Sequence, residues 1–294
     1  MDLTVQQIAN ALSLGSTYAL LALGLALVFS VMRIVNFAHG ELLTIAGYSL
    51  FFLAALELPF LILAVVAVLA ASVGAMAMDQ VAFRPFRGAS GATLLLTSFA
   101  VSVMIQLLFQ NFVDPRGRPV PVPELLRGST EILGVRVGVV QLVAFLIAVI
   151  TLVAMTAFLR GTSLGTSLRA AAQDFETTRL MGIRANAVIA TGFAISGVLA
   201  GIAGVLWVAQ RTTADPTMGL TPVLKAFIAI VIGGMGSLVG GVVAGFLLGF
   251  LEVTAEVVLP TAFQPLRDGV VWLVVILVLI MRPAGLFGRE EDWV

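Results

Sequence analysis

The chain has 294 residues, of which 60% are hydrophobic and 11% are charged, whereas charged residues make up roughly 25% of an ordinary soluble domain. This composition excludes a soluble globular protein and predicts about eight or nine membrane elements of roughly 20 apolar residues each. The 16 basic and 16 acidic side chains cancel, so no nucleic-acid partner is expected. The absence of cysteine and the presence of one histidine, His39, exclude a conventional cysteine or histidine metal site.

Apolar runs predict membrane-embedded helices, because a lipid-exposed strand edge leaves its backbone polar groups unpaired. The runs also lack the two-residue alternation of an outer-membrane barrel. They cover residues 5–31, 41–57, 60–79, 92–113, 139–159, 187–210, 223–258 and 268–281. The expected fold is therefore an all-α, polytopic membrane protein with eight to nine membrane elements, including broken or re-entrant helices, in a single domain over residues 1–294.

The first interruption of the apolar pattern, residues 33–41, carries Asn36, His39, Gly40 and Glu41. Gly40 permits unusual backbone angles, and Glu41 suits the first turn of the following helix. Two interpretations are open at this point. The segment is either an interfacial turn or a discontinuous helix on a translocation pathway, where freed backbone groups and the side chains of Asn36, His39 and Glu41 meet a polar substrate.

The second interruption is glycine-rich and falls inside the run at 223–258, which is too long for one span and short for two. Glycine has low helix propensity, so we expect a helix break here, with Ser237 on the same pathway. Glycines that recur every four residues also predict flat helix faces for close packing. The glycines of the break and of this packing surface are Gly233, Gly234, Gly236, Gly240, Gly241 and Gly245.

Two polar segments are expected on opposite sides of the membrane. Residues 114–138 are rich in proline, which prevents a continuous helix and predicts an ordered surface loop. Residues 160–186 have an alanine-rich centre with an apolar stripe that includes Leu168 and Phe175, which predicts one short amphipathic helix outside the bilayer. Each segment contains four arginines, so the positive-inside rule does not choose between the two orientations.

Three charged residues, Lys225, Glu252 and Glu256, fall within or beside apolar runs. An acid at the centre of a membrane helix costs about 2.5–3.5 kcal/mol. Because Pro260 closes the run, we expect both acids near the interface, and Lys225 is expected to reach the headgroups. In the alternative of an ion-coupled carrier, Glu252 and Glu256 would be the coupling pair.

Enzymatic motifs are absent from the sequence. It contains no G-x-x-x-x-G-K-[ST], HExxH or GxSxG pattern, so no catalytic residues are expected. A P-loop would be needed for this chain to bind nucleotide phosphates in the usual way.

Residues 176–182, Glu-Thr-Thr-Arg-Leu-Met-Gly, resemble the E-A-A-x-x-x-G loop that ABC importer permeases present to their ATPase, with both alanines replaced by threonine. Four further motifs follow the order found in branched-chain amino acid permeases of the LivH type. They are Asn36-Phe-Ala-His-Gly-Glu41, Arg169-Ala-Ala-Ala-Gln-Asp174, Gly233-Gly-Met-Gly-Ser237 and Arg282-Pro-Ala-Gly-Leu-Phe-Gly288. From about residue 5 to 288 the chain is similar to that family.

The resemblance implies a half-permease of the bacterial inner membrane, with a LivM-like permease, two ABC ATPase subunits and a periplasmic substrate-binding protein as partners. ATP and magnesium would bind to the ATPases, and this chain would hold no cofactor. A cytoplasmic coupling loop at about 160–186 would sit in a groove on the ATPase. The coupling residues would be Arg169, Asp174, Glu176, Arg179 and Gly182.

The resemblance also implies an ATP-driven importer for branched-chain or related amino acids. Urea or short amides are alternative cargoes on the same scaffold. An ion-coupled secondary carrier is a less favoured class. A non-transporting scaffold would leave the two helix breaks without a purpose.

Overall fold

The computed structural model describes residues 2–132 and 135–288, and within them the chain forms twelve α-helices. Their bounds are α1 Asp2–Met32, α2 His39–Leu53, α3 Phe60–Met78, α4 Gly91–Phe112, α5 Glu124–Arg127, α6 Val139–Gly161, α7 Ser163–Gln173, α8 Phe175–Leu180, α9 Ala185–Arg211, α10 Leu220–Gly233, α11 Leu238–Val258 and α12 Arg267–Met281. Eight segments of this described part are long and apolar enough to cross a membrane, and α10 is a shorter apolar helix. The predicted all-α, polytopic fold is confirmed.

Helix α1 lies at the centre of the bundle and contacts α6, α9, α10 and α11. Small residues allow α11 to approach it closely, since a Cβ atom added at Gly245 would lie 2.6 Å from the backbone nitrogen of Ala19. Gly249 is pressed in the same way against the backbone of Gly15. At Gly241 the nearest atom is 3.6 Å away, which is ordinary van der Waals contact. The tight part of this surface is therefore at Gly245 and Gly249.

The first helix break separates α1 from α2. Helix α1 ends at Met32, and after an irregular link α2 begins at His39. The His39 Nδ1 atom and the Ser196 hydroxyl share a hydrogen bond of 3.0 Å, and Ser196 is the twelfth of the 27 residues of α9. Helix α2 thus starts opposite the middle of a membrane span, which favours the discontinuous-helix interpretation over an interfacial turn.

The second break divides the run at 223–258 into α10 and α11. Gly234 and Gly236 have φ values of +102° and +96°, which favour glycine, and the Ser237 hydroxyl caps α11 by accepting a hydrogen bond of 3.0 Å from the backbone of Gly240. A Cβ at Gly233 would collide with the backbone of Gly240. The two helices therefore meet at close range on either side of the break.

Residues 282–288 fold back onto this junction. The backbone N–H of Leu286 donates to the carbonyl of Ile232 at 2.7 Å, and that of Phe287 donates to the carbonyl of Gly233 at 3.0 Å. The last carbonyls of a helix have no partner within it. The returning segment therefore satisfies two of the carbonyls at the end of α10.

Residues 114–138 contain short elements that the predicted ordered loop does not specify. They contain α5 and three short strands, β1 Arg118–Pro119, β2 Ser129–Ile132 and β3 Val135–Gly138. Strands β2 and β3 form a hairpin, whereas β1 pairs with β4, Thr213–Ala214, at the end of α9. Such a pairing of distant segments leaves no local signal in a proline-rich sequence. We call this side of the bundle the β4 end.

Residues 160–186 form two helices, α7 and α8, where the sequence predicts one. Asp174 has an extended backbone and accepts a hydrogen bond of 3.0 Å from the N–H of Thr177, so it caps α8. Aspartate favours such a position over a helix interior because its side chain competes for backbone N–H groups. We call this side of the bundle the α7 end, and α6 separates it from the β4 end.

Candidate translocation and coupling sites

The polar residues of the first break are enclosed within the subunit. Asn36, His39 and Glu41 are all buried. The Oε1 atom of Glu41 accepts hydrogen bonds from the Ser102 hydroxyl at 2.8 Å and from Gln106 Nε2 at 2.7 Å, both on α4. The start of α2 is thereby tied to α4 through Glu41 and to α9 through His39.

This arrangement makes a polar region inside an apolar bundle. The Oδ1 atom of Asn36 is buried and has no hydrogen-bond partner among the described residues. A buried polar group left unpaired costs about 1–3 kcal/mol. The region therefore offers an unused acceptor to a polar molecule that reaches it.

Ser237 lies apart from these three residues, at the α7 end. It borders a cavity of about 480 Å³ together with Ser30, Arg33 and the end of α7. Ala172 and Gln173 supply the α7 side of the cavity, and Phe287 and Gly288 supply the returning segment. The structure thus brings the second break, the end of α1 and the coupling loop to one cavity, whereas Asn36, His39 and Glu41 stand outside its lining.

Single cysteines test the four pathway positions, since the chain has none of its own. We expect a water-soluble thiol reagent to label a cysteine at position 237 in this conformation, because Ser237 borders an open cavity. Cysteines at 36, 39 and 41 should be protected here and should label only when ATP drives another state. Labelling rates of the assembled complex, with and without ATP, provide the measurement. If all four positions stay unreactive in every state while uptake continues, the breaks are packing devices and not pathway elements.

The predicted coupling loop, residues 160–186, projects several of its residues outwards. Arg169 on α7 and Arg179 on α8 are exposed, as are Leu180 and Met181. Gly182 follows with a φ of +84° and no heavy atom of another element within 4 Å of an added Cβ. Exposed apolar side chains beside exposed arginines are typical of a protein-docking surface.

The buried face of the coupling loop holds it against the bundle. Leu168 and Ala171 are buried, and α7 contacts α1, α6 and α9. Asp174 acts as the cap described above. Glu176 lies in α8, and its side chain is outside the described part of the chain.

A cluster of charged residues at the β4 end is absent from the sequence-based prediction. Lys225 is 9% exposed and Glu252 is 6% exposed, and their Nζ and Oε1 atoms are 2.6 Å apart. The Tyr18 hydroxyl donates to Glu252 Oε2 at 2.8 Å. Lys225 thus pairs with Glu252 inside the bundle, which corrects the expectation that it reaches the headgroups. Glu252 lies in the last turns of α11, and its place near the interface stays a prediction.

Glu256 is 58% exposed and its carboxylate lies 3.3 Å from Arg267, so it is not part of the buried pair, and its place near the interface stays a prediction. In the sequence, only the charge of Lys225 and Glu252 indicates that they form an ion pair, because a charged residue in an apolar run requires a partner. The sequence does not identify the partner, because it lies on another helix.

Comparisons with known proteins agree with this architecture. The family model for the branched-chain amino acid transport system permease component matches residues 7–280. The chain is 32% identical over 299 residues to the high-affinity branched-chain amino acid transport system permease protein BraD of Pseudomonas aeruginosa, which covers 98% of this chain and 96% of that protein. No solved structure matches the chain.

Two further relatives show how widely the scaffold is used. Identity to the high-affinity branched-chain amino acid transport system permease protein LivH of Escherichia coli K12 is 32% over 303 residues, with 98% of this chain and 96% of that protein covered. Identity to the ribose import permease protein RbsC of the same organism is 27% over 287 residues, covering 94% and 86%. The family match over nearly the whole length, together with the eight apolar spans, shows that this chain belongs to the branched-chain amino acid transport system permease family.

Proposed function

We propose that this multi-pass inner-membrane protein is the permease subunit of an ATP-driven importer and forms half of a translocation pathway for branched-chain or related amino acids. The observation that carries the proposal is the 32% identity, over nearly the full length, to permeases named for high-affinity branched-chain amino acid transport. The exposed helices at the α7 end support the same interpretation, because an importer without its own P-loop needs a surface for an ATPase.

The division of labour in the proposed importer rests on the family resemblance. Two partner ATPases bind ATP and magnesium, a LivM-like permease supplies the other half of the pathway, and a periplasmic binding protein delivers the cargo. The coupling loop of residues 160–186, part of a single permease domain, docks on one ATPase. Arg169, Arg179 and Gly182 lie on the exposed side of that loop.

The position of α7 suggests how docking acts on the pathway. Its last residues, Ala172 and Gln173, line the same cavity as Arg33 and Ser237. When the ATPases close on ATP and move α7, the shape of this cavity therefore changes. Both helix breaks border the cavity, the first through Arg33 and the second through Ser237. Packed helices switch between discrete arrangements in this way, and the rocking of helices exposes the pathway to alternate sides.

Uptake by the reconstituted complex tests the proposal. The permease, a partner permease, both ATPases and the binding protein are placed in proteoliposomes, and accumulation of labelled leucine is measured. We expect uptake that requires ATP and is absent from this chain alone. Uptake by the chain alone under an ion gradient would favour the ion-coupled carrier. ATP-dependent uptake of urea or short amides, without uptake of leucine, would change the proposed cargo.

Gly182 tests the coupling surface. Replacing it with tryptophan should lower ATP-driven uptake by about tenfold or more while the subunits still assemble, since misplaced bulk at a packed contact costs about 1–3 kcal/mol. Gly182→Asn is the matched control, because asparagine tolerates the positive φ of +84° and adds little bulk. The measurement is uptake together with co-purification of the ATPases. Wild-type uptake by a Gly182→Trp complex would show that this surface does not face an ATPase.

A further inference from the structure

A cavity of about 490 Å³ opens at the β4 end, opposite the coupling loop, and its volume lies within the range of about 300–1,000 Å³ typical of small-molecule sites. Its lining combines three cations and three anions with aromatic and apolar side chains. These residues are Tyr18, Trp207, Arg211, Thr213, Asp215, Thr217, Met218, Thr221, Lys225, Glu252, Arg267 and Asp268. The charges of the lining sum to zero.

Four of the six charges compensate one another. Lys225 Nζ lies 2.6 Å from Glu252 and 3.4 Å from Asp268, and the Arg267 guanidinium lies 3.5 Å from Glu252 and 3.9 Å from Asp268. These two cations and two anions come from α10, α11 and α12, and they form one connected network. Because each charge has an opposite neighbour, the network needs no ligand to be neutral.

The remaining two charges, Arg211 and Asp215, belong to none of the ion pairs within the described residues. The guanidinium carbon of Arg211 lies 3.7 Å above the ring of Trp207, which fixes its position through a cation–π contact. Asp215 accepts hydrogen bonds from the N–H of Thr217 at 2.8 Å and from its hydroxyl at 2.6 Å. The cavity therefore presents one positioned cation and one positioned anion that form no ion pair within the described part of the chain.

We propose that this cavity binds the zwitterionic head of an α-amino acid, with its carboxylate on Arg211, its ammonium on Asp215 and its side chain against Trp207 and Met218. The inference rests on the proposed function and places a cargo site at the β4 end. An anion alone would satisfy only Arg211, and a cation alone would satisfy only Asp215. A zwitterion satisfies both charges and leaves the cavity neutral.

The chemistry of each group suits its part of the ligand. A guanidinium offers a planar pair of N–H donors to a carboxylate, and such charge-assisted hydrogen bonds are stronger than neutral ones. Trp207 and Met218 are almost fully buried at the wall of the cavity and offer apolar surface to a branched side chain. An amino acid that leaves water here exchanges its hydration for fixed charges before it enters the translocation pathway.

Competition binding tests the site on the assembled complex. The two permeases and the ATPases are placed in nanodiscs without binding protein, and binding of labelled leucine is competed with 4-methylpentanoate, which lacks the ammonium, and with 3-methylbutylamine, which lacks the carboxylate. For the wild type we expect saturable leucine binding and at least about tenfold weaker binding of either analogue.

Two variants separate the roles of the charges. Arg211→Gln should weaken leucine binding at least about tenfold, so that leucine and 3-methylbutylamine bind with similar affinity. Asp215→Asn should likewise make the affinities for leucine and 4-methylpentanoate similar. Arg127→Gln is the matched control, because Arg127 is an exposed arginine at the same end but outside the cavity. Its leucine affinity should equal that of the wild type.

The site is refuted if both Arg211→Gln and Asp215→Asn bind leucine as tightly as the wild type, or if the wild-type complex shows no saturable leucine binding. ATP-driven leucine uptake by the wild-type complex with binding protein is measured in parallel. Normal uptake with unchanged binding in both variants overturns the site alone. If the wild-type complex shows no ATP-driven leucine uptake, the proposed function is overturned instead, whatever the binding measurements show.

Discussion

Replacing Glu252 with glutamine will destabilise the folded permease by about 3 kcal/mol, since removal of one partner from a buried ion pair typically costs about 3–5 kcal/mol. The ammonium of Lys225 would lose its nearest counterion, at 2.6 Å, while it stays within the bundle. We expect the lower end of the range because Asp268 remains 3.4 Å away. The measurement is the unfolding temperature of the purified complex in detergent.

Two controls make this result specific. Glu256→Gln, one helical turn away and 58% exposed, should change stability by less than about 1 kcal/mol, as is usual for a surface pair. Lys225→Met combined with Glu252→Leu should recover most of the lost stability, because apolar residues of similar volume often replace a buried ion pair without loss. Wild-type stability in Glu252→Gln alone would mean that Lys225 has water or another acid as its real partner.

Gly245→Ala will separate α1 from α11 and destabilise the protein by about 3 kcal/mol, at the upper end of the cost of overpacking. The new Cβ would lie 2.6 Å from the backbone nitrogen of Ala19, and a backbone atom cannot move aside as a flexible side chain can. Gly241→Ala, one turn earlier, should be neutral because its nearest neighbour is 3.6 Å away. Unfolding temperature and the yield of assembled complex provide the measurements. Equal effects of the two substitutions would contradict the close approach at Gly245.

The sequence predicts the helical spans well because each span is a local property of the chain. Apolar runs end within a few residues of the helix ends, and both helix breaks appear as polar or glycine-rich interruptions. The division between α7 and α8 is less visible, because Asp174 is one polar residue at the end of an alanine-rich segment. Its preference for a capping position outweighs the helix propensity of its neighbours.

Contacts between distant segments account for what the sequence does not predict. Strand β1 finds its partner in β4, and Lys225 finds Glu252 on the next helix and Asp268 on the one after it. Periodicity and composition carry no information about such pairs. For the same reason, the roles of Asn36, His39 and Glu41 in transport stay a prediction: their residue types are visible in the sequence, but the opening of their surroundings is not.

The segment at 282–288 has a consequence for the order in which the protein assembles during translation. The carbonyls of Ile232 and Gly233 receive their hydrogen bonds from Leu286 and Phe287, which leave the ribosome roughly 50 residues later, several seconds at about 5–20 residues per second. Until then the link of residues 234–237 lacks this support, and α10 and α11 can still adjust their insertion. The arrival of the returning segment ends that interval, so the junction between the two helices is among the last parts of the bundle to become fixed.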